Sequence, residues 1–284
     1  MLRLTTFHPE LERSQRVLPR GLGRPWLLGA LRVLSRTGGA LQRVGERVEH
    51  GRGTVFVHRP SAPRDAPGPA LLWMHGGGLI MGDPRLDGPF LAHVAESFGA
   101  VVASAKYRLA PESPFPAGLD DCVAAFDWLA SQPEVDPTRI AVGGQSAGGG
   151  LAAALCQRLR DRGGVQPAFQ ALVYPMLDDR SAWADPGPED ARHRVWDRRS
   201  NVLGWQSYLA GREPPAYAVP ARAADLTGLP PAWIGVGTAD LFHDEDVAYA
   251  ERLRASGVPV DLEVVPGAYH GFDVVVPDAE VSRA

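Results

Sequence analysis

Residues 139–151 read Arg-Ile-Ala-Val-Gly-Gly-Gln-Ser-Ala-Gly-Gly-Gly-Leu, and few backbone arrangements accommodate that run. The apolar residues 140–142 read as a buried strand, and 151–159 as a helix. Between them Gly144-Gln145-Ser146-Ala147-Gly148 fits the pattern G-x-S-x-G. A serine at so abrupt a strand-to-helix turn is expected to adopt strained backbone angles, with its Oγ held out of the sheet. Gly144 and Gly148 lack a Cβ and let strand and helix pass close together. Ser146 would also stand at a helix N-terminus, where backbone N–H groups favour a developing negative charge. The bland alternative is a Gly-rich loop leading into a helix. Its placement between a strand and a helix is what favours the elbow.

A strand of this kind needs a sheet around it, and the rest of the chain supplies one. From residue 53 onward, strand-like and helix-like stretches alternate. Strands are expected at 53–58, 70–74, 100–105, 140–142, 169–174, 232–237 and 260–265. Helices are expected at 88–98, 118–130, 151–159, 201–210 and 244–255, and a Pro-rich turn at 60–69. This is an α/β pattern: a mostly parallel central sheet with helices on both faces. Two stretches lie outside it. Residues 1–48 look helical and amphipathic, with Leu27, Leu28, Leu31 and Leu34 at helical spacing among Arg24, Arg32 and Arg36. They read either as a docked surface helix or as a lid over a pocket. Residues 178–220, polar and Arg/Asp-rich at first and carrying Pro186 and Pro188, read as an excursion above the sheet. The expected organisation is therefore a helical cap segment at 1–48 and a catalytic body at 49–284 that carries the excursion.

Ser146 alone is a weak nucleophile and needs a base with a third group to orient it. Among eight histidines, His270 follows the last strand in Pro266-Gly267-Ala268-Tyr269-His270-Gly271-Phe272. Asp240 follows the strand at 232–237. Both fall at strand C-terminal ends, where Ser146 also lies and where groups gather in open α/β sheets. The order Ser146, Asp240, His270 is that of α/β-hydrolases, not of chymotrypsin or subtilisin. Singly, His270 could be a surface residue and Asp240 a helix cap; the joint arrangement makes that reading poor. Directly after the strand at 70–74 comes His75-Gly76-Gly77-Gly78, whose glycines could turn amides toward a substrate carbonyl. The N–H of Ala147 offers another donor. His75 reads as a structural hydrogen-bonding residue.

These motifs resemble those of the hormone-sensitive-lipase-like (bacterial family IV) carboxylesterases of the α/β-hydrolase superfamily. The resemblance is carried by His75-Gly76-Gly77-Gly78, Tyr107-Arg108-Leu109-Ala110-Pro111-Glu112, Pro114-Phe115-Pro116-Ala117 and the Ser146 elbow. Further on it is carried by Tyr174-Pro175, Asp225-Leu226-Thr227-Gly228-Leu229-Pro230-Pro231, Asp240 with Asp244-Glu245, and His270-Gly271-Phe272. It implies the α/β-hydrolase fold with a small helical cap. It also implies a Ser146–Asp240–His270 triad and an oxyanion hole formed by Gly77, Gly78 and Ala147. The chain departs from the pattern at Gln145, where Asp or Thr is usual, and at Leu241-Phe242-His243. Only twelve residues follow Phe272, where similar proteins usually carry a further helix, so a less covered sheet edge is expected.

The resulting expectation is a serine carboxylesterase that needs no cofactor and no metal. Leu79, Trp205 and Tyr208 are candidate pocket walls, with ordinary packing as the alternative for the two aromatics. A net charge of −4 gives no reason to expect nucleic acid or an anionic membrane as partner. Two cysteines in 284 residues, both in expected helices, suggest buried thiols and a cytoplasmic protein. No apolar run reaches membrane-spanning length, and 26–34 lacks the marks of a signal peptide. Gly149, standing where a Ser-x-x-Lys hydrolase has its lysine, excludes that class. The expected partner is a small-molecule ester, acting on a monomer or homodimer. The small roof points to short acyl chains. Two rivals remain: an amidase or deacetylase with the same triad, and a non-catalytic small-molecule-binding protein, which the presence of His270 argues against.

Overall fold

The structure, a computed structural model, describes residues 7–42, 45–51, 53–62, 66–185 and 187–283. Parts of three expected segments (1–48, the turn at 60–69 and the excursion at 178–220) thus lie outside the described residues. Eight strands form one sheet: β1 Glu46–His50, β2 Gly53–His58, β3 Gly68–Met74, β4 Val101–Ala105, β5 Val135–Gln145, β6 Phe169–Val173, β7 Ala232–Gly237 and β8 Val260–Val265. Their order is β1-β2-β4-β3-β5-β6-β7-β8. The β1–β2 and β2–β4 pairs are antiparallel, and every other pair is parallel. The helices are α1 Leu28–Leu41, α2 Gly88–Phe98, α3 Ala117–Ala130, α4 Ala147–Arg162, α5 Arg180–Trp183, α6 Arg198–Leu209, α7 His243–Ala255 and α8 Phe272–Val275.

The side-chain alternation of β3 shows how the layers form. Leu72 and Met74 enter the large core shared with α3 and α4, whereas Trp73 joins Leu91, Ala95 and Val102 on the α2 side. Central strands buried on both faces carry continuous apolar runs, and all five residues of β4 are buried. That double burial is why β2, β7 and β8 begin and end where the sequence places them. The last strand is an edge, with Asp261 and Glu263 exposed on it. Charged side chains on an edge discourage pairing with another chain.

The N-terminal expectation needs correction. A continuous amphipathic helix is not formed: the chain makes 3₁₀ turns at Pro9–Leu11 and Ser14–Arg16 and becomes α-helical only from Leu28. Pro19, Gly21, Gly23 and Pro25 interrupt it, each unfavourable in a helix interior. Leu28 and Leu31 pack on the core, but Leu34 points outward, 67% exposed. Residues 46–50 form β1, so the boundary expected at 48 falls inside a strand. That strand, Glu-Arg-Val-Glu-His, has no apolar alternation because it is an edge with little to bury.

Candidate active site

Ser146 has φ 56° and ψ −124°, a conformation that costs an L-residue of order 1–3 kcal/mol and persists only when its surroundings enforce it. Enforcement is visible. The Ser146 N–H donates to Val173 O at 2.8 Å, and its own carbonyl accepts from Gly150 and Met176. A Cβ on Gly148 would fall 2.0 Å from Met74 O, so the strand-end, elbow and helix can meet only because that residue is glycine.

The loops after β7 and β8 are stitched together: Thr238 N–H donates to Val265 O, and Ala239 N–H to Ala268 O, at 3.0 and 2.9 Å. They deliver Asp240 and His270 to the Ser146 end of the sheet. His270 Nε2 lies 2.9 Å from Ser146 Oγ, and Nδ1 lies 2.8 Å from Asp240 Oδ2. These partners fix the tautomer: Nδ1–H donates to the carboxylate, and Nε2 accepts from the hydroxyl. The other Asp240 oxygen accepts the Phe242 N–H at 3.0 Å. All three side chains are buried. The ring of His270 is held between the edges of Tyr174 and Phe242, at 4.8 and 5.2 Å. Asp244 is exposed and pairs with His243. Asp246 is fully buried with both carboxylate oxygens unpartnered, and burial, then Glu245 and Asp240 nearby, hold its proton on. Neither of them hydrogen-bonds His270.

The turn 75–78 passes over the elbow, and a Cβ on Gly76 would lie 3.5 Å from Ser146 Cβ. Gly77 and Gly78 have φ of 120° and 60°, angles that turn their amides away from the β3 line. The N–H groups of Gly77, Gly78 and Ala147 have no hydrogen-bond acceptor among the described residues. His75 is structural: it stacks on Tyr107 at 4.3 Å, its Nδ1 lies 2.7 Å from Gly76 O, and burial lowers its pKa to about 4. Leu79, Trp205 and Tyr208 are all buried in the main core beside the turn. A Cβ on Gly204 of α6 would lie 2.9 Å from Gly78 O, which puts that helix against the glycines.

Two features escaped the sequence. The first concerns Gln145. Its Nε2 donates to Asp87 Oδ1 at 2.8 Å, and Asp87 Oδ2 accepts from Trp73 Nε1 at 2.9 Å. Gln145 Oε1 faces Tyr174 OH at 3.2 Å, and that hydroxyl donates to Asp273 at 2.7 Å. The carboxylate usual at position 145 is replaced by one reached through an amide. Burial, opposed by those donors and reinforced by Asp273, raises the Asp87 pKa to about 7. Tyr174-Pro175 was a signal, but nothing local marked Asp87. The second is Trp196, buried against Gly78 from within the polar stretch. No group of His, Cys, Asp and Glu among the described residues is arranged to hold a metal ion.

Against known proteins, a family profile described as alpha/beta hydrolase fold matches residues 71–274. Carboxylesterase NlhH of Mycobacterium tuberculosis is 40% identical over 238 residues, 79% of this chain and 73% of that protein. The solved structure of a bacterial heroin esterase superposes with a TM-score of 0.87 at 36% identity, covering 99% of this chain and 94% of that one. An esterase of the bacterial hormone-sensitive lipase family superposes at 0.81, with 31% identity and coverage of 98% and 95%. A profile over most of the chain, relatives this similar and a shared fold place it in one family: the chain belongs to the hormone-sensitive-lipase-like (bacterial family IV) carboxylesterases of the α/β-hydrolase superfamily.

Proposed function

We propose that this carboxylesterase hydrolyses short-chain acyl esters of small molecules, with Ser146 as nucleophile, His270 as general base and Asp240 as its orienting acid. The observation that carries the reading is the unbroken hydrogen-bond chain from Ser146 Oγ through His270 to Asp240. Ser146 Oγ attacks the ester carbonyl as its proton passes to His270 Nε2. The carbonyl oxygen becomes an oxyanion that accepts from the Gly77, Gly78 and Ala147 N–H groups. Asp240 stabilises the imidazolium. His270 then gives its proton to the leaving alkoxide, the C–O bond breaks, and an acyl-Ser146 ester remains. Water, deprotonated by the same imidazole, attacks that ester; the acid leaves and Ser146 regains its proton.

Residues 7–41 and the excursion at 178–220 act in this reading as the cap. A roof of that size encloses a pocket for small ligands rather than a lipid groove. No helix among the described residues is long and apolar enough to cross a membrane. The free, buried Cys122 and Cys156 support a cytoplasmic setting, where thiols stay reduced.

The test is kcat/KM across p-nitrophenyl acetate, butyrate, hexanoate, octanoate and palmitate. Rates should rise with chain length and fall beyond about eight carbons, where the pocket ends. Ser146→Ala should lower turnover by about 10⁴-fold or more with folding intact. A maximum at palmitate, or a variant retaining activity within about tenfold, would sink the reading.

A further inference from the structure

Trp196 sits at the one place where the polar stretch 184–197 reaches the glycine turn. A Cβ on Gly78 would lie 2.0 Å from its Cη2 and 2.5 Å from its Cζ2, so the indole rests directly on the Gly78 backbone. In the esterase reading, Gly78 is an oxyanion donor. An ester carbonyl bonded to Ser146 with its oxygen in that hole has two arms. The alcohol arm must lie within hydrogen-bond reach of His270 Nε2, whose ring is flanked by Tyr174 and Phe242. Trp196 contacts neither flank. It packs instead beside Gly204 of α6, and its Nε1 donates to Asn201 Oδ1 at 3.4 Å. The arm it borders is therefore the acyl arm.

The indole is held there at some cost. Val195, a β-branched residue, has φ 68°, where such residues are outliers. Its N–H donates to Pro19 O at 2.9 Å, and its carbonyl accepts from Leu22 N–H at 3.2 Å. Downstream, Asp197 takes two bonds from Arg24, and Ser200 Oγ accepts from Gly23 N–H at 2.8 Å. The two chains are too close for side chains: a Cβ on Gly21 would fall 2.0 Å from Asp197 Oδ1, and on Gly23 2.5 Å from Ser200 Cα. Residues 19–24 thus form a strap that clamps 195–200 from outside.

We propose that Trp196 is the specificity-determining residue that closes the acyl side of the site, and that residues 19–24 set its position. This rests on the esterase reading above and goes beyond it by naming what limits the acyl chain.

The experiment compares kcat/KM for p-nitrophenyl acetate and decanoate, and for acetate esters of graded alcohols, in wild type, Trp196→Ala, Trp196→Phe and Gly23→Ala. Each methylene newly buried is worth up to about fourfold in kcat/KM. Trp196→Ala should raise the decanoate-to-acetate ratio by about ten- to fiftyfold, and Trp196→Phe by a few-fold. Gly23→Ala, remote from the reacting atoms, should raise it a few-fold by displacing the strap. The alcohol series should keep its order in all of them. If Trp196→Ala does not fold, Trp196→Phe and Gly23→Ala decide. An unchanged ratio in the folded Trp196 variants, or a change confined to the alcohol series, overturns the assignment. An unchanged ratio in Gly23→Ala alone overturns the part given to the strap. A wild type with no ester turnover overturns the parent reading, and this one with it.

Discussion

The C-terminal rim of the sheet and the cap above it are built on opposite principles. At the rim, β3, β5, β7 and β8 deliver Gly77, Ser146, Asp240 and His270 from hydrogen-bonded strand ends, and close backbone approach leaves no slack. In the cap, α1 shows Trp26, Val33, Leu34 and Leu41 to solvent, and guanidinium forks do much of the fastening. Arg32 alone donates to Ile80 O, Ala110 O and both oxygens of Glu112. The contrast teaches where each task belongs: reacting groups on rigid elements, substrate limits on loops that can vary without disturbing them.

Three changes break or sharpen this contrast. The largest effect is expected at the rim. Asp240→Asn should lower kcat by about 10³–10⁴-fold, because the imidazole loses the partner that fixes its tautomer. Asp244→Asn, four residues on and exposed, should stay within about threefold of wild type. Steady-state kinetics on p-nitrophenyl acetate checks both; collapse of Asp244→Asn alone would give the acid role to the wrong residue.

Next comes the layer under the elbow. Burial raises the Asp87 pKa from 3.8 to about 7, so the folded protein holds a proton that the unfolded chain releases. Stability therefore falls as pH rises from about 4 to about 7, and the loss is complete above that. Such a shift would be worth roughly 4 kcal/mol in a fully enclosed group; Asp87 is half-buried, and screening brings the expected loss to about 1–2 kcal/mol. Asp87→Asn lacks this titration, so relative to wild type it should gain about that much between pH 5 and pH 8. Glu245, also raised, to about 8, is present in both proteins and cancels in the difference. Urea unfolding at the two pH values measures it, and a pH-independent difference would mean that Asp87 ionises freely. The smallest effect is expected in the cap, where Arg32→Lys keeps the charge but loses the fork and should cost about 0.5–1.5 kcal/mol by the same method.

What was legible follows from the same contrast. β2, β7 and β8 could be bounded from sequence because central and half-buried strands leave apolar runs or alternation between turns. Ser146, Asp240 and His270 could be nominated because each follows its own strand at one end of the sheet. β1 left no such mark, since an edge strand with little to bury needs no apolar side chains. Residues 9–25 looked more helical than they are because leucine spacing was weighed above Pro19, Gly21 and Pro25. The contact of Asp87 with Gln145 spans 58 residues, and that of Trp196 with Gly78 spans more than a hundred. Contacts made across the chain by single side chains carry no periodicity, so only the folded structure brings them together.

The stretch from Phe7 to Ser14 has a consequence for order in time. His8 N–H donates to Gly267 O, Leu11 is buried with Ala268 and Tyr269, and Ser14 Oγ lies 2.7 Å from Tyr269 OH. The loop that carries His270 is thus braced by residues translated more than 250 positions earlier. During synthesis that early segment must wait, unpaired, until almost the whole sequence has emerged, and contacts so far apart in sequence are slow to form. The nascent chain therefore exposes a serine elbow long before it owns a base to activate it, and chemistry is switched on only by the closing of the longest loop in the molecule.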